Sequence, residues 1–376
     1  MAIKASGNPL LFTEIEAEFG QNIDRDLGEY RISQTVGGLT NQPLDAGIPQ
    51  SGKIKFSDFY SKRLNVIIDY HTGETENRPT VAKTRYDATA GTGTHTVLTG
   101  GWYKERPTNS GGTKTRIHVN KTIGSSTGGT GETHCAVRTG TGWNSGTVLT
   151  VEIGSSGALY GAGGDGGHGG TGESTGGCGS GQRNGCAGED GNSGLGIQYD
   201  GTSVINNGII SGGYGGGGGG GYRKVEKEEF FAGPTAQASG GGGGGGQGLP
   251  GGSGGGGNSN GTAGTISSSG NGGNGGTTSN SGVTARGGGG GGGGSDGEGG
   301  TGTGGNNGGE GTSSSGGSGA DGAYSGNIEN GSNNYEGEGG AGGGTGAAIR
   351  RTSGISVSIS DPVGGIVGAT DATGVS

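Results

Sequence analysis

Cys178 and Cys186 flank a short polar loop in a glycine-rich stretch. They could pair outside a cell or stand as two free thiols. Cys135 makes the cysteine count odd, which argues against a full disulfide framework. His134 beside Cys135 suggests a nucleophile or ligand pair at first sight. Neighbouring side chains in a strand point to opposite faces, so that chemistry is not expected there. Asp165 with His168, and Glu189 with Asp190, could hold a metal ion, although acids in glycine-rich turns are more often solvated. Glycine-rich phosphate fingerprints match trivially in this chain. None of them sits in a strand–loop–helix context with a P-loop lysine. There is no Ser/His/Asp, paired-carboxylate or Cys/His constellation. The expectation is a protein that is not an enzyme and carries no cofactor or metal.

The residues best suited to binding lie in a charged, aromatic interruption between two glycine runs, Tyr222 to Ala238. Tyr222, Arg223, Lys224, Phe230 and Phe231 are the candidates there. Tyr324 and Tyr335 are smaller candidates further on. Exposed Tyr, Phe and Arg are favoured binding anchors. The alternative is that these side chains clamp the ends of the glycine-rich region or pack on a neighbouring subunit.

What must position them is a tract over 161–346 that holds most of the chain's 109 glycines, with unbroken runs at Gly215–Gly221, Gly240–Gly246 and Gly287–Gly294. Such a tract is either disordered or built of extended three-fold helices packed side by side, which only glycine permits. Collagen fits poorly, since there is no strict Gly-X-Y period and the chain has 8 prolines. The ordered form is the expectation. Runs of about 22 Å, at ~3.1 Å per residue, would lie antiparallel and be joined by turns into a flat slab. The turns would carry the variable chemistry.

Residues 63–160 read as a β domain. Strands are expected at 66–70, 96–98, 116–119, 135–137 and 148–153, with Trp102, Tyr103 and Trp143 as core or as an aromatic carbohydrate platform. A repeat links this region to the tract. Val151–Gly161, Val204–Gly212 and Val357–Gly368 each run β stretch, polar turn, apolar pair, glycine. It predicts stacked strand–turn–strand rungs, with 148–160, 202–211 and 355–368 close together and 347–376 returning to the β layer. The fold class expected is mainly β with packed polyglycine II helices, preceded by a short helical module over 1–62.

Within 1–62, three pieces each run apolar residue, small residue, acid, apolar residue: Phe12–Ile15, Leu27–Tyr30 and Phe56–Phe59. Thr13 and Ser57 are candidate N-caps of short helical turns. The module is read as a docking piece or as a small cap on the next domain. A net charge of −9 disfavours nucleic-acid binding. No apolar run approaches a membrane span, and the N-terminus lacks the apolar core of a secretory signal.

The runs Asn8–Gly20 and Ile48–Tyr60 resemble the opening of many tailed-bacteriophage structural proteins, over about sixty residues. The resemblance implies attachment to other phage virion proteins through Phe12, Ile15, Phe19, Tyr30, Phe56, Phe59 and Tyr60. In the usual pattern a glycine-rich spacer follows the middle piece; here glycine comes only at Gly37. The layout of β region, glycine runs and chemically distinct loops resembles the distal long-tail-fibre adhesins of T-even-type phages. There polyglycine helices form a sandwich whose tip loops recognise a bacterial surface receptor, protein or polysaccharide. This chain departs from them by carrying its own N-terminal module. The resemblance implies a virion protein of the tail more than of the capsid, homo-oligomeric in the particle. A purely structural virion component and an ice-binding protein are the alternatives.

Overall fold

The computed structural model describes residues 4–19, 27, 35–36, 39–40, 52–61, 65–70, 96–98, 114–125, 134–140, 148–226, 235–280, 283–294, 297–302, 307–312, 323–324 and 333–375. The chain is mainly β. Its centre is a four-coil solenoid of three parallel sheets. The first coil is Lys114–Val119, Thr122–Gly124 and Cys135–Arg138; the second is Val148–Ile153, Ala158–Tyr160 and Ser193–Ile197. The third is Thr202–Asn206, Ile209–Ser211 and Ile349–Arg351; the fourth is Val357–Ser360, Ile366–Val367 and Ala372–Thr373. Asn65–Tyr70 extends the first sheet in parallel, and Thr96–Leu98 pairs with it antiparallel.

In-register apolar stacks explain why these short strands hold. Ile117, Val151, Val204 and Ile359 form one ladder. Ile123, Leu159, Ile210 and Ile366 form a second, and Val137, Leu195 and Ile349 a third. Except for Ile359 and Ile366 on the fourth coil, these side chains are essentially buried. Each such burial contributes about 1.5–3 kcal/mol. The segments 148–160, 202–211 and 355–368 are therefore side by side, as the repeat predicts. Cys135 is buried in the wall of the first coil. Trp102, Tyr103 and Trp143 lie outside the described residues.

The glycine tract enters as two insertions at one corner of the solenoid, between Tyr160 and Ser193 and between Ser211 and Ile349. Within it, extended rods run up from the solenoid and back. The N–H groups of Gly213, Gly216, Gly219 and Tyr222 donate to the carbonyls of Asn192, Glu189, Cys186 and Arg183. Those of Tyr214, Gly217 and Gly220 donate to Gln247, Gly244 and Gly241. A step of three on both partners, with bonds running between neighbours, is the pattern of three-fold extended helices packed side by side.

The rod over 239–247 is surrounded by six others. Its N–H groups donate to the rods at 161–170, 287–294 and 259–265, and its carbonyls accept from those at 212–222, 251–257 and 270–276. Glycine is required here by close approach. A Cβ on Gly243 would stand 1.9 Å from the carbonyl oxygen of Gly217, and one on Gly244 would stand 2.0 Å from that of Gly270.

On outer rods, side chains take over the bonding. Asp165 Oδ1 accepts from Ser253 N at 2.6 Å, and His168 Nδ1 from Gly256 N at 3.0 Å. Asn271 and Asn274 accept from the N–H groups of Glu298 and Thr301 at 3.0 and 2.8 Å. Both pairs are spaced by one rod turn of three residues, so they meet successive outward N–H groups of the adjacent rod. Asp190 does the same for Gly344 N at 2.6 Å. These side chains include three of the four considered as metal ligands, and no group of three or more metal-ligating side chains forms among the described residues.

In the N-terminal module, Phe12–Phe19 is an α-helix and Phe56–Phe59 a 3-10 turn. Thr13 and Ser57 are not the caps. Each lies inside its helical segment, and Glu14 and Asp58 instead accept from the N–H groups of Leu11 and Lys55, both at 2.7 Å. A carboxylate three residues on reaches back to the first orphan donor better than a hydroxyl already within the turn.

Candidate functional site

The rod at 212–222 leaves the solenoid at Ser211 and reaches its far end after about 30 Å, at ~3.1 Å per residue. There it becomes the strand Arg223–Glu226, flanked by Thr235–Ala238 and Asn333–Glu336 in an antiparallel sheet. A second sheet, with Val283–Arg286 between Thr277–Asn280 and Ala323–Tyr324, lies at the same end. Val225, Ala236, Ala238 and Ala285 form a small apolar core there. The rods change to strands where side chains again find room on alternate faces.

The opposite face of the first sheet carries the polar cluster. Lys224 lies in register with Gln237 on one side and Tyr335 on the other. Its Nζ bonds Glu173 Oε1 at 2.8 Å and also pairs with Glu226. Hydrogen bonds to those two carboxylates raise its pKa well above the ordinary lysine value. The Tyr335 ring receives Arg183 at 5.1 Å and Lys224 at 5.3 Å from its centroid. On the other face, that of Val225 and Ala238, Arg223 pairs with Glu336 at 2.5 Å. Tyr222 is buried and donates from Oη to Gln237 Oε1 at 3.0 Å. Burial, and after it Glu173, hold its phenol above the ordinary tyrosine value. Cys178 and Cys186 are disulfide-bonded with Cα atoms 4.9 Å apart, tying the Ser174–Asn184 turn to the rod that follows.

The fold thus gathers four of the sequence candidates, Tyr222, Arg223, Lys224 and Tyr335, at one end of the slab. The backbone of Tyr324 joins the second sheet, opposite Ala285. Phe230 and Phe231 lie outside the described residues, on the connection from Glu226 to Thr235. Sequence reasoning missed Thr171, Glu173, Gln237, Asn258 and Thr278, which line a cleft of about 400 Å³ beside Tyr222. These residues come from chain segments far apart in sequence. The available signal is that each falls where a glycine run gives way to side chains.

In the N-terminal module, Ile15 and Phe59 are fully buried and hold the piece together, with Phe12 packed edge-on to Phe56 at 6.1 Å. Tyr60 Oη donates to the Asn8 carbonyl at 2.5 Å. Among the described residues there, Leu11 and Phe56 are the exposed large apolar side chains, at 59% and 40%. Nothing is described of the Phe19 side chain, and Tyr30 lies outside the described residues.

No protein-family model matches the chain, and no curated protein does. One solved structure similar to it is the crystal structure of the gp37–gp38 adhesin tip complex of the bacteriophage S16 long tail fibre. The two are 18% identical with a TM-score of 0.34, and the alignment covers 97% of this chain and 100% of that one. A superposition that loose carries no functional weight.

Proposed function

We propose that this chain is a phage tail protein that joins the virion through its N-terminal module and presents a bacterial-receptor-binding surface at the far end of a polyglycine II slab. The observation that carries the reading is where the slab can hold side chains. Its interior excludes even a methyl group, so chemical variety collects on the outer rods and at the end about 30 Å from the solenoid. A stiff spacer with a chemically diverse tip suits contact at a distance. The disulfide at that end fits an oxidising exterior. The resemblance of residues 8–20 and 48–60 to virion openings supplies the attachment half. The chain works by binding, without catalysis.

The test is adsorption of the full chain to host cells, compared with a variant whose residues 227–234 are replaced by a short Gly/Ser turn. Loss of adsorption in the folded variant supports the reading. Absence of adsorption by folded wild type, with assembly onto particles intact, refutes it.

The second reading is a purely structural component of tail, baseplate or capsid. It draws on the fourth coil, whose three strands are the outer members of their sheets among the described residues. Val363 and Val367 are 66% and 46% exposed beside them. Such an end suits a neighbouring subunit, of this chain or of another virion protein.

A further inference from the structure

We infer that the cleft beside Tyr222 binds an uncharged saccharide unit of a bacterial surface glycan. This rests on the receptor-binding reading and names the ligand class.

The cleft's volume, about 400 Å³, lies toward the low end of ligand sites, which span roughly 300–1,000 Å³. Such sites are mostly apolar. This one is lined by the side chains of Thr171, Glu173, Tyr222, Gln237, Asn258 and Thr278, with further Thr, Ser, Ala and Gly. No branched aliphatic side chain is among its described lining residues, so a peptide has no socket for an apolar anchor. The one ionised lining group, Glu173, is held by Lys224 at 2.8 Å. Lys224 is shared with Glu226, and no Lys or Arg is among the described lining residues, so an anionic ligand finds no free cation there, whereas a ligand of hydroxyls and ring oxygens finds donors and acceptors of its own kind.

The groups are also pre-positioned. Thr171, Tyr222, Ser239, Asn258 and Gly276 sit at the ends of rods locked to one another by backbone bonds. The Tyr222 hydroxyl donates to Gln237 Oε1, which fixes the carboxamide with its N–H groups as the free-standing donor side. Thr171 Oγ1 already accepts from Gly181 N at 3.0 Å, so its hydroxyl proton is the one available to a ligand. Little ordering is then required on binding.

The test uses the full-length chain on an array of bacterial surface oligosaccharides, neutral and anionic, in parallel with adsorption to host cells. Gln237→Ala and Thr278→Val alter exposed cleft side chains. Ser267→Ala, at a turn of the opposite end, is the control. The expected result is wild-type binding to at least one neutral glycan, weakened about three- to tenfold by each cleft variant and unchanged in the control. Thermal unfolding confirms that each variant is folded. Neutral-glycan binding that survives in the folded double variant overturns the assignment, as does binding restricted to anionic glycans. Cell adsorption without any glycan binding, unchanged in the double variant, overturns the cleft while leaving receptor binding standing. No adsorption and no glycan binding by folded wild type sinks both.

Discussion

Gly243→Ala is expected to cost the fold at least about 3 kcal/mol, although it adds a single methyl group. The new Cβ would stand 1.9 Å from the Gly217 oxygen and 2.5 Å from its carbon. A carbon–oxygen contact ordinarily sits at about 3.3–3.6 Å, so the two rods must part by roughly 1.4 Å. They are joined by three bonds of 2.8 Å, from Tyr214, Gly217 and Gly220 to Gln247, Gly244 and Gly241. A separation of that size breaks them, at about 1 kcal/mol each, or up to about 3 where a buried group is left unpaired. The rod cannot move the other way, because its six neighbours bond it on all sides. At about 2–4 °C per kcal/mol for a domain of this size, the midpoint should fall by roughly 6–12 °C. Thermal unfolding of Gly243→Ala, beside Ala341→Gly on an exposed rod position, measures this. The control should stay within about 0.5 kcal/mol. A Gly243→Ala protein within about 1 kcal/mol of wild type would refute the close-packed slab.

Asn274→Ala removes the acceptor of both Thr301 N and Thr301 Oγ1, each at 2.8 Å, and should cost about 1 kcal/mol in urea unfolding, with Asn274→Asp retaining most of it. Cys178→Ser opens a crosslink of sequence separation 8 and should lower stability by about 2–3 kcal/mol, as should reductant; a midpoint indifferent to both would count against the bond. Burial, then Asp165 and Asp190, raise the pKa of Glu189. A carboxyl raised on folding stabilises fully only below its unfolded value, about 4.3, and that contribution fades as pH rises through the folded value. Glu189→Gln should therefore raise the urea midpoint at pH 7 and not at pH 4. An equal effect at both would show that charge is not the cause.

Much of this fold is readable in the residues. The Val151 and Val204 repeats pair in register, whereas the third is offset by two residues, with Ile359 opposite Val204 and Val357 opposite Thr202, so that a β-branched residue still stands at the same depth on each coil. The glycine runs allow close packing or disorder in sequence, and the approach of the rods, too tight for a Cβ at positions such as Gly243, decides for packing. Less readable was the bonding on the outer rods. Asp165 and His168 resemble a metal pair until their three-residue spacing is set against the rod repeat, which makes them acceptors for Ser253 and Gly256. The tip cluster was half legible. Tyr222, Arg223 and Lys224 stand out in sequence, but Glu173 and Gln237 acquire meaning only when rods from distant parts of the chain end side by side. Ile15 and Phe59 look like docking residues in sequence, yet they are fully buried, leaving Leu11 and Phe56 as the exposed large apolar groups among the described residues of the module.

The most direct test of a slab that displays its tip outward is made on particles carrying the chain. A Fab raised against residues 222–238 would be located on them by electron microscopy and assayed for blocking adsorption. The account predicts a Fab bound at the outermost end of the protein and loss of adsorption. An epitope buried against other virion subunits, with adsorption unaffected, would contradict it.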